Sequence, residues 1–299
     1  MFAPDCVRAT ASGLGELAAQ MSLSTEALWI ENGFGDEVRP DGLVDVCVDN
    51  GVDDISGGSN VRHDDPVVDA ERAAKVVRQQ EKLNELFAPF SRAPLAVDGI
   101  SGPRTGQRLC AARLALGFDA SVADMTPGST EDTALFAASA LTQPPSTAVA
   151  SERWVLIDRT CQMMFVGTGE QLVFVFPTST GTAGFETRTQ DRADVFRYNP
   201  AVENGGWHDS TEYPVGVDNP LNGNLYKPLY FDLGQAIHGA TNVPAAPASK
   251  GCARLNVPDQ EQLLDWLGLL EATEETWRTS EINLTVNVQG EFTGREITG

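Results

Sequence analysis

Two stretches that offer little to bury divide this chain into blocks and so constrain its fold most. Residues 49–70 carry Gly51, Gly57, Gly58, Pro66 and many aspartates, and residues 120–150 are rich in Ala, Ser, Thr and Pro. Such composition cannot offset the entropy of ordering a chain, so both read as linkers, the second with one short helix near Asp132–Leu141. The 299 residues are 41% apolar, enough for more than one core. The blocks expected are 1–50, 71–119 and 153–299, joined by linkers 51–70 and 120–152. No apolar run approaches the roughly 18 residues of a membrane helix, so no membrane span is expected. The formal charge of −21 repels nucleic acid and anionic lipid, and excludes both as partners.

The first block reads strand (Cys6–Thr10), helix (Gly15–Met21), helix (from Ser24, with Leu28, Trp29 and Phe34 inward) and strand (Leu43–Val48). The second places Val76, Val77, Gln80, Leu83 and Leu86 at helical spacing. A turn follows, Val97-Asp98-Gly99-Ile100-Ser101-Gly102-Pro103-Arg104-Thr105, and then a helix carrying Leu109, Ala112, Arg113 and Leu116. Gly99 and Gly102 suit a tight turn and Pro103 a helix start. From Trp154 the texture is β: Trp154–Asp158, Cys161–Gly167 and Gln171–Thr178 form a meander. Short strands follow at Leu229–Phe231 and Ala236–His238, then an amphipathic helix from Pro258 and a final alternation of Ile282, Leu284, Val286 and Val288.

Chemistry concentrates in Ala236-Ile237-His238-Gly239 and Ser249-Lys250-Gly251-Cys252-Ala253-Arg254, with Cys252 fourteen residues after His238. Taken alone, a Cys is more often a small buried hydrophobe than a nucleophile. Zinc lacks a paired Cys or second nearby His, so no metal is expected. The string Trp207-His208-Asp209-Ser210 invites a serine-triad reading, but triad members rarely adjoin in sequence; His208 reads as a loop residue and His63 as solvent-exposed in its linker. Five cysteines, Cys6, Cys47, Cys110, Cys161 and Cys252, fit either two disulfides plus a thiol in an exported protein or five reduced thiols in a cytoplasmic one.

The match at Ile237, His238, Gly239, Ser249, Lys250, Gly251, Cys252 and Arg254 to an "IHG" strand followed by "S-[HK]-G-C-x-R" resembles the YkuD-type L,D-transpeptidases. Ser179-Thr180-Gly181 is similar to the family's "STG", Tyr230-Phe231 to its "YF" before "aIHG", and the helix after Asp259 to its "D…L" segment; the resemblance spans about Trp154–Leu270. It implies a β-rich domain of antiparallel sheets with one main helix. The implied activity is a cysteine acyltransferase of peptidoglycan that makes 3→3 cross-links through a thioester. L,D-carboxypeptidase activity and a non-catalytic cell-wall-binding protein are the alternatives. Cys252 is then the nucleophile, His238 its base and the Gly239 carbonyl the acceptor that fixes the imidazole tautomer; Arg254, Ser249, Lys250, Gly251 and Tyr230 bind substrate. Backbone N–H groups around Gly251 and Cys252 form the oxyanion hole. No cofactor is implied. Peptidoglycan stem peptides and glycan strands are the implied partners, carbapenems the implied inhibitors, and the cell wall the implied location. The N-terminus shows no signal peptide, so a secreted reading expects a leader outside the given sequence.

Two further resemblances concern the other blocks. The "VDGxxGPxT" turn between helices resembles a small all-α peptidoglycan-binding domain. The first block loosely resembles the α+β LysM module, whose terminal strands pair, which implies a Cys6–Cys47 disulfide. Setting Cys252 aside then leaves Cys110 and Cys161 as a second pair. One departure is named: where many transpeptidases carry "TPxG", this chain has Glu186-Thr187-Arg188-Thr189-Gln190-Asp191, on the side of the acceptor. Lys250 stands where other members carry a second histidine.

Overall fold

A computed structural model describes residues 6–10, 43–47, 66–91, 93–99, 101–194, 225–232, 234–240, 243–271 and 282–293. The chain divides into two compact units, Met1–Leu141 with Thr293–Gly299, and Thr142–Phe292. Among the described residues no helix is long and apolar enough to cross a membrane.

In the first unit, strands β1 (Cys6–Thr10) and β2 (Leu43–Cys47) pair antiparallel, with Cys6 opposite Cys47 in backbone register. The two helices expected between them lie outside the described residues. Helix α1 (Pro66–Phe87) starts inside the stretch expected as a linker, because Pro66 suits a first turn and the residues that follow favour helix. Helix α2 (Pro103–Ala115) opens on Pro103 and buries Leu109, Cys110, Ala111, Ala112 and Leu114. The turn between them is held by Gln80. Its Oε1 accepts from the Asp98 and Gly99 N–H groups at 3.1 and 3.0 Å, and its Nε2 donates to Asp98 Oδ1 at 2.9 Å.

Residues 120–141, expected as part of a linker, pack onto these helices instead. Arg113 is buried on α2 and donates to the carbonyls of Ser121 and Ala123 at 2.6 and 2.7 Å and to Glu131 at 2.8 Å. A buried guanidinium needs such partners, and the folded-back segment supplies them. Helix α3 (Thr130–Ala137), capped by the Ser129 hydroxyl, adds the buried Leu135. Cys110 is disulfide-bonded.

The second unit holds the expected meander β3 (Arg153–Asp158), β4 (Met163–Thr168) and β5 (Gln171–Pro177), each paired antiparallel with the next. With β6 (Gln190–Asp194) and β10 (Thr285–Gln289) they form one sheet in the order β5-β4-β3-β10-β6. A second sheet runs β7 (Tyr226–Asp232), β8 (Gln235–Ala240), β9 (Ala253–Asn256). The expectation of antiparallel sheets is corrected at two places: β10 pairs parallel with β3, and β9 parallel with β8. Both pairs are joined by long connections, which parallel neighbours require. Cys161 is disulfide-bonded here.

The core draws one side from each layer. Val155, Ile157, Met164, Val166 and Phe176 come from the first sheet, Leu229, Phe231, Ile237, Ala253 and Leu255 from the second, and Leu263 and Leu264 from helix α4 (Val257–Leu267). Burying each large aliphatic side chain among these contributes about 2 kcal/mol. The alternation matters for chemistry. With Leu229, Phe231, Ile237, Ala253 and Leu255 committed to the core, the residues between them face the other side of the three-stranded sheet.

Candidate active site

That other side carries Tyr230, His238 and Arg254, with Cys252 immediately before β9. Tyr230 is the register partner of Ala236, and His238 of Arg254. Cys252, two residues ahead of Arg254, continues the row next to Ala236, whose backbone hydrogen-bonds the thiol. The sheet register thus brings Tyr230, His238, Cys252 and Arg254 to one face although up to 24 positions separate them in sequence. Lys250 lies exposed on the turn before the cysteine.

His238 is buried, and its Nδ1 lies 2.9 Å from the Gly239 carbonyl oxygen. A carbonyl only accepts, so Nδ1 carries the hydrogen and Nε2 is left with a basic lone pair. Cys252 is a half-buried free thiol, with Sγ 3.9 Å from the Gly234 carbonyl. Burial pushes its pKa above the ordinary value, while the Ala236 hydrogen bond and then the Arg254 charge pull it partway back. The thiol therefore rests protonated, and a base has to take its proton when it attacks. Tyr230 is buried and its hydroxyl is pushed up to about 12, first by burial and then by the charge of the Cys252 thiolate. It stays a neutral donor beside the sulfur.

The nucleophile turn is fastened by the Ser179-Thr180-Gly181 segment. Arg254 N donates to Ser179 O at 2.9 Å, Ser249 N to Thr180 O at 3.0 Å, and Thr182 N to Ser249 O at 3.0 Å. The Ser179 hydroxyl donates to Ala246 O at 2.7 Å and the Thr178 hydroxyl to Arg254 O at 2.8 Å. Gln162 holds Thr180 from behind through its N–H and hydroxyl, both at 2.8 Å.

Two expectations change here. Ser249, expected to bind substrate, is buried; its hydroxyl donates to Cys252 O at 2.6 Å and accepts from Gly251 N at 3.1 Å. It braces the turn instead. The same bond already engages the Gly251 N–H, one of the two expected oxyanion donors. Gly251 has φ +114°, a conformation that strains any other residue, and its Cα faces the Gln235 amide, a Cβ there lying 2.5 Å from Nε2. Gly181 is needed for close approach, since a Cβ would lie 1.9 Å from Phe185 O and 2.8 Å from Gly251 Cα.

Gln235 is a residue the sequence reading did not single out. Its Oε1 accepts from Arg188 N at 2.9 Å and its Nε2 donates to Glu186 O at 3.0 Å. The adjoining Asp232 forms an ion pair with Arg188. Its only sequence signal was an amide side chain one residue before the Ala236–Gly239 motif. The string Trp207–Ser210 and His63 lie outside the described residues.

Residues 152–282 match the family model described as YkuD, the L,D-transpeptidase catalytic domain. A search of curated proteins finds no match. Among solved structures the chain is similar to an L,D-transpeptidase from Xylanimonas cellulosilytica, at 25% identity, covering 72% of this chain and 93% of that one with a TM-score of 0.41. It is also similar to one from Stackebrandtia nassauensis, at 17% identity, covering 75% and 94% with a TM-score of 0.38. A third is L,D-transpeptidase 3 from Mycobacterium tuberculosis in complex with a faropenem-derived adduct, at 17% identity, covering 46% and 60% with a TM-score of 0.30. The match spans His238, Gly239, Cys252 and Arg254, so it is residues 152–282 that match the cysteine-dependent catalytic domain of peptidoglycan L,D-transpeptidases.

Proposed function

We propose that this domain joins two stem peptides by a 3→3 cross-link. In the donor step Cys252 Sγ attacks the carbonyl of the third residue, meso-diaminopimelate or its equivalent, in a tetrapeptide stem. His238 Nε2 takes the thiol proton and returns it to the departing amine of D-alanine, leaving a thioester. In the acceptor step the side-chain amine of a neighbouring stem attacks the thioester carbon, the C–S bond breaks and the thiol is restored. The Cys252 N–H stabilises the oxyanion in both steps, a contribution of about 3 kcal/mol for one such donor. Arg254 offers a two-pronged hydrogen bond to a stem carboxylate, with Lys250 adding positive charge at the rim.

The observation that carries this reading is the 2.9 Å bond from His238 Nδ1 to Gly239 O beside a free thiol on the same sheet face. It leaves the imidazole in the one tautomer that can act as base. The helical unit, roughly residues 71–119, and the LysM-like block, residues 1–50, serve to hold the enzyme on glycan strands in the cell wall. The support for that is the turn bound by Gln80 and the antiparallel pairing of β1 with β2.

Incubation with a disaccharide-tetrapeptide muropeptide is the test. Mass spectrometry should show loss of D-alanine together with a cross-linked dimer. Tripeptide without dimer means that water is the acceptor and the enzyme is an L,D-carboxypeptidase. Tetrapeptide recovered unchanged overturns the reading in favour of a binding protein.

A further inference from the structure

The loop 183–188, which runs into the stretch 186–191 that departs from the family pattern, is fastened by contacts of its own. Its base closes through Phe185 N to Thr182 O at 2.9 Å and Gly181 N to the Thr187 hydroxyl at 3.0 Å. Its far side is tied to β8 by Gln235, whose amide meets residues 186 and 188 as the peptide group of a neighbouring strand would, accepting from one and donating to the other. The same amide lies over Gly251, where a Cβ would come within 2.5 Å of Gln235 Nε2. One side chain therefore touches both the 183–188 loop and the residue before the nucleophile. The loop's outer face is exposed, including Phe185 at 57%. Glu186, fully exposed, has its carboxyl held below the usual range by the Gly184 N–H, which it accepts at 2.9 Å. The loop that Gln235 ties beside the Gly251 turn thus presents an apolar ring and a carboxylate on a braced backbone.

We propose that Gln235 is a positioning residue for the acceptor step: by locking the 183–188 loop against the Cys252 turn, it directs the thioester to an amine rather than to water. This rests on the transpeptidase reading above. In the productive step the amine nitrogen bonds to the acyl carbon, the C–S bond breaks, and the amine proton reaches the departing sulfur by way of His238. With water in that place the products are the free tripeptide acid and the thiol. An amine on a long side chain must be held in line with the acyl carbon, whereas water needs no such holding. Loosening the wall beside the thioester therefore costs the amine far more than the water. The hydrogen bonds of the Gln235 amide go to Arg188 N and Glu186 O rather than to the sulfur or the imidazole, so the donor step depends on it little. The amide suits this place because its two ends offer an acceptor for Arg188 N–H and a donor for Glu186 O at once.

The test compares wild type, Gln235→Ala and Gln235→Glu on disaccharide-tetrapeptide, with D-alanine release and the dimer-to-tripeptide ratio measured in the same reaction. The expected result for Gln235→Ala is a fall of about tenfold or more in that ratio, with D-alanine release within about threefold of wild type. Gln235→Glu keeps the acceptor for Arg188 N–H and loses the donor to Glu186 O. It should lie between the two, and it decides the matter if Gln235→Ala does not fold. An unchanged ratio, or D-alanine release and dimer falling together, overturns the proposal. So does a wild type that yields tripeptide alone. A wild type that releases no D-alanine defeats the transpeptidase reading instead, which keeps the two failures apart.

Discussion

Cys252→Ala should abolish D-alanine release, lowering the rate by about 10⁴-fold or more, while the protein stays folded. Removal of the sulfur leaves nothing to form the thioester, and among the residues whose side chains are described no second free thiol stands by. Cys110 and Cys161 are disulfide-bonded, so neither can supply a thiolate. The structural loss is small, because the half-buried sulfur makes only weak polar contacts, with Gly234 O at 3.9 Å and the Ala236 backbone, and the turn is braced by Ser249 independently of it. Thermal unfolding should therefore shift by no more than about 1 kcal/mol equivalent. Retained turnover in this variant would remove Cys252 from the mechanism. A variant that fails to fold would show instead that the thiol belongs to the core.

His238→Gln should lower D-alanine release at neutral pH by roughly 10²–10⁴-fold and change its pH dependence. The sign follows from the thiol. Burial holds the Cys252 proton more tightly than usual, so without a base only a small fraction is thiolate at neutral pH. The residual rate of the variant should then track that fraction and rise about tenfold per pH unit through the alkaline range, until the thiol's raised pKa is reached. The wild-type profile should be flatter there, because the imidazole accepts the proton during attack. A variant whose profile parallels wild type, or whose rate is unchanged, would mean that His238 only shapes the strand.

The placement of His238 and Cys252 together was legible because two short motifs state it in adjacent letters, and the alternation around Ile237 and Leu255 already implies which face each residue takes. The meander was legible for the same reason: Trp154–Asp158 and its neighbours are strand formers separated by turn residues. What stayed hidden depends on partners distant in the chain. Gln190–Asp194 has no apolar alternation, yet it forms β6 because β10 pairs with it at the sheet edge. The parallel pairing of β3 with β10 joins residues about 130 positions apart, and no local pattern announces it. Residues 120–141 read as a linker from composition, but the buried Arg113 draws their carbonyls onto the helical unit. Ser249 looked like a ligand contact because it belongs to the motif, whereas its hydroxyl is engaged by the backbone on both sides. Gln235 was silent since its role exists only where the 183–188 loop and Gly251 meet.

The central claim is that Cys252 is an accessible, base-assisted nucleophile aimed at an acyl carbon, and a carbapenem tests it most directly. The strained lactam presents the same electrophile as the stem amide, and its carboxylate suits the cationic side of the site at Arg254. Ring opening by Sγ adds the whole drug to the protein, and no amine is then placed to release the thioester. Intact-mass spectrometry after incubation with a carbapenem should show a gain equal to the drug's mass, mapped to the peptide containing Cys252 and absent from Cys252→Ala. Wild-type protein of unchanged mass, or an adduct that survives Cys252→Ala, would contradict the account.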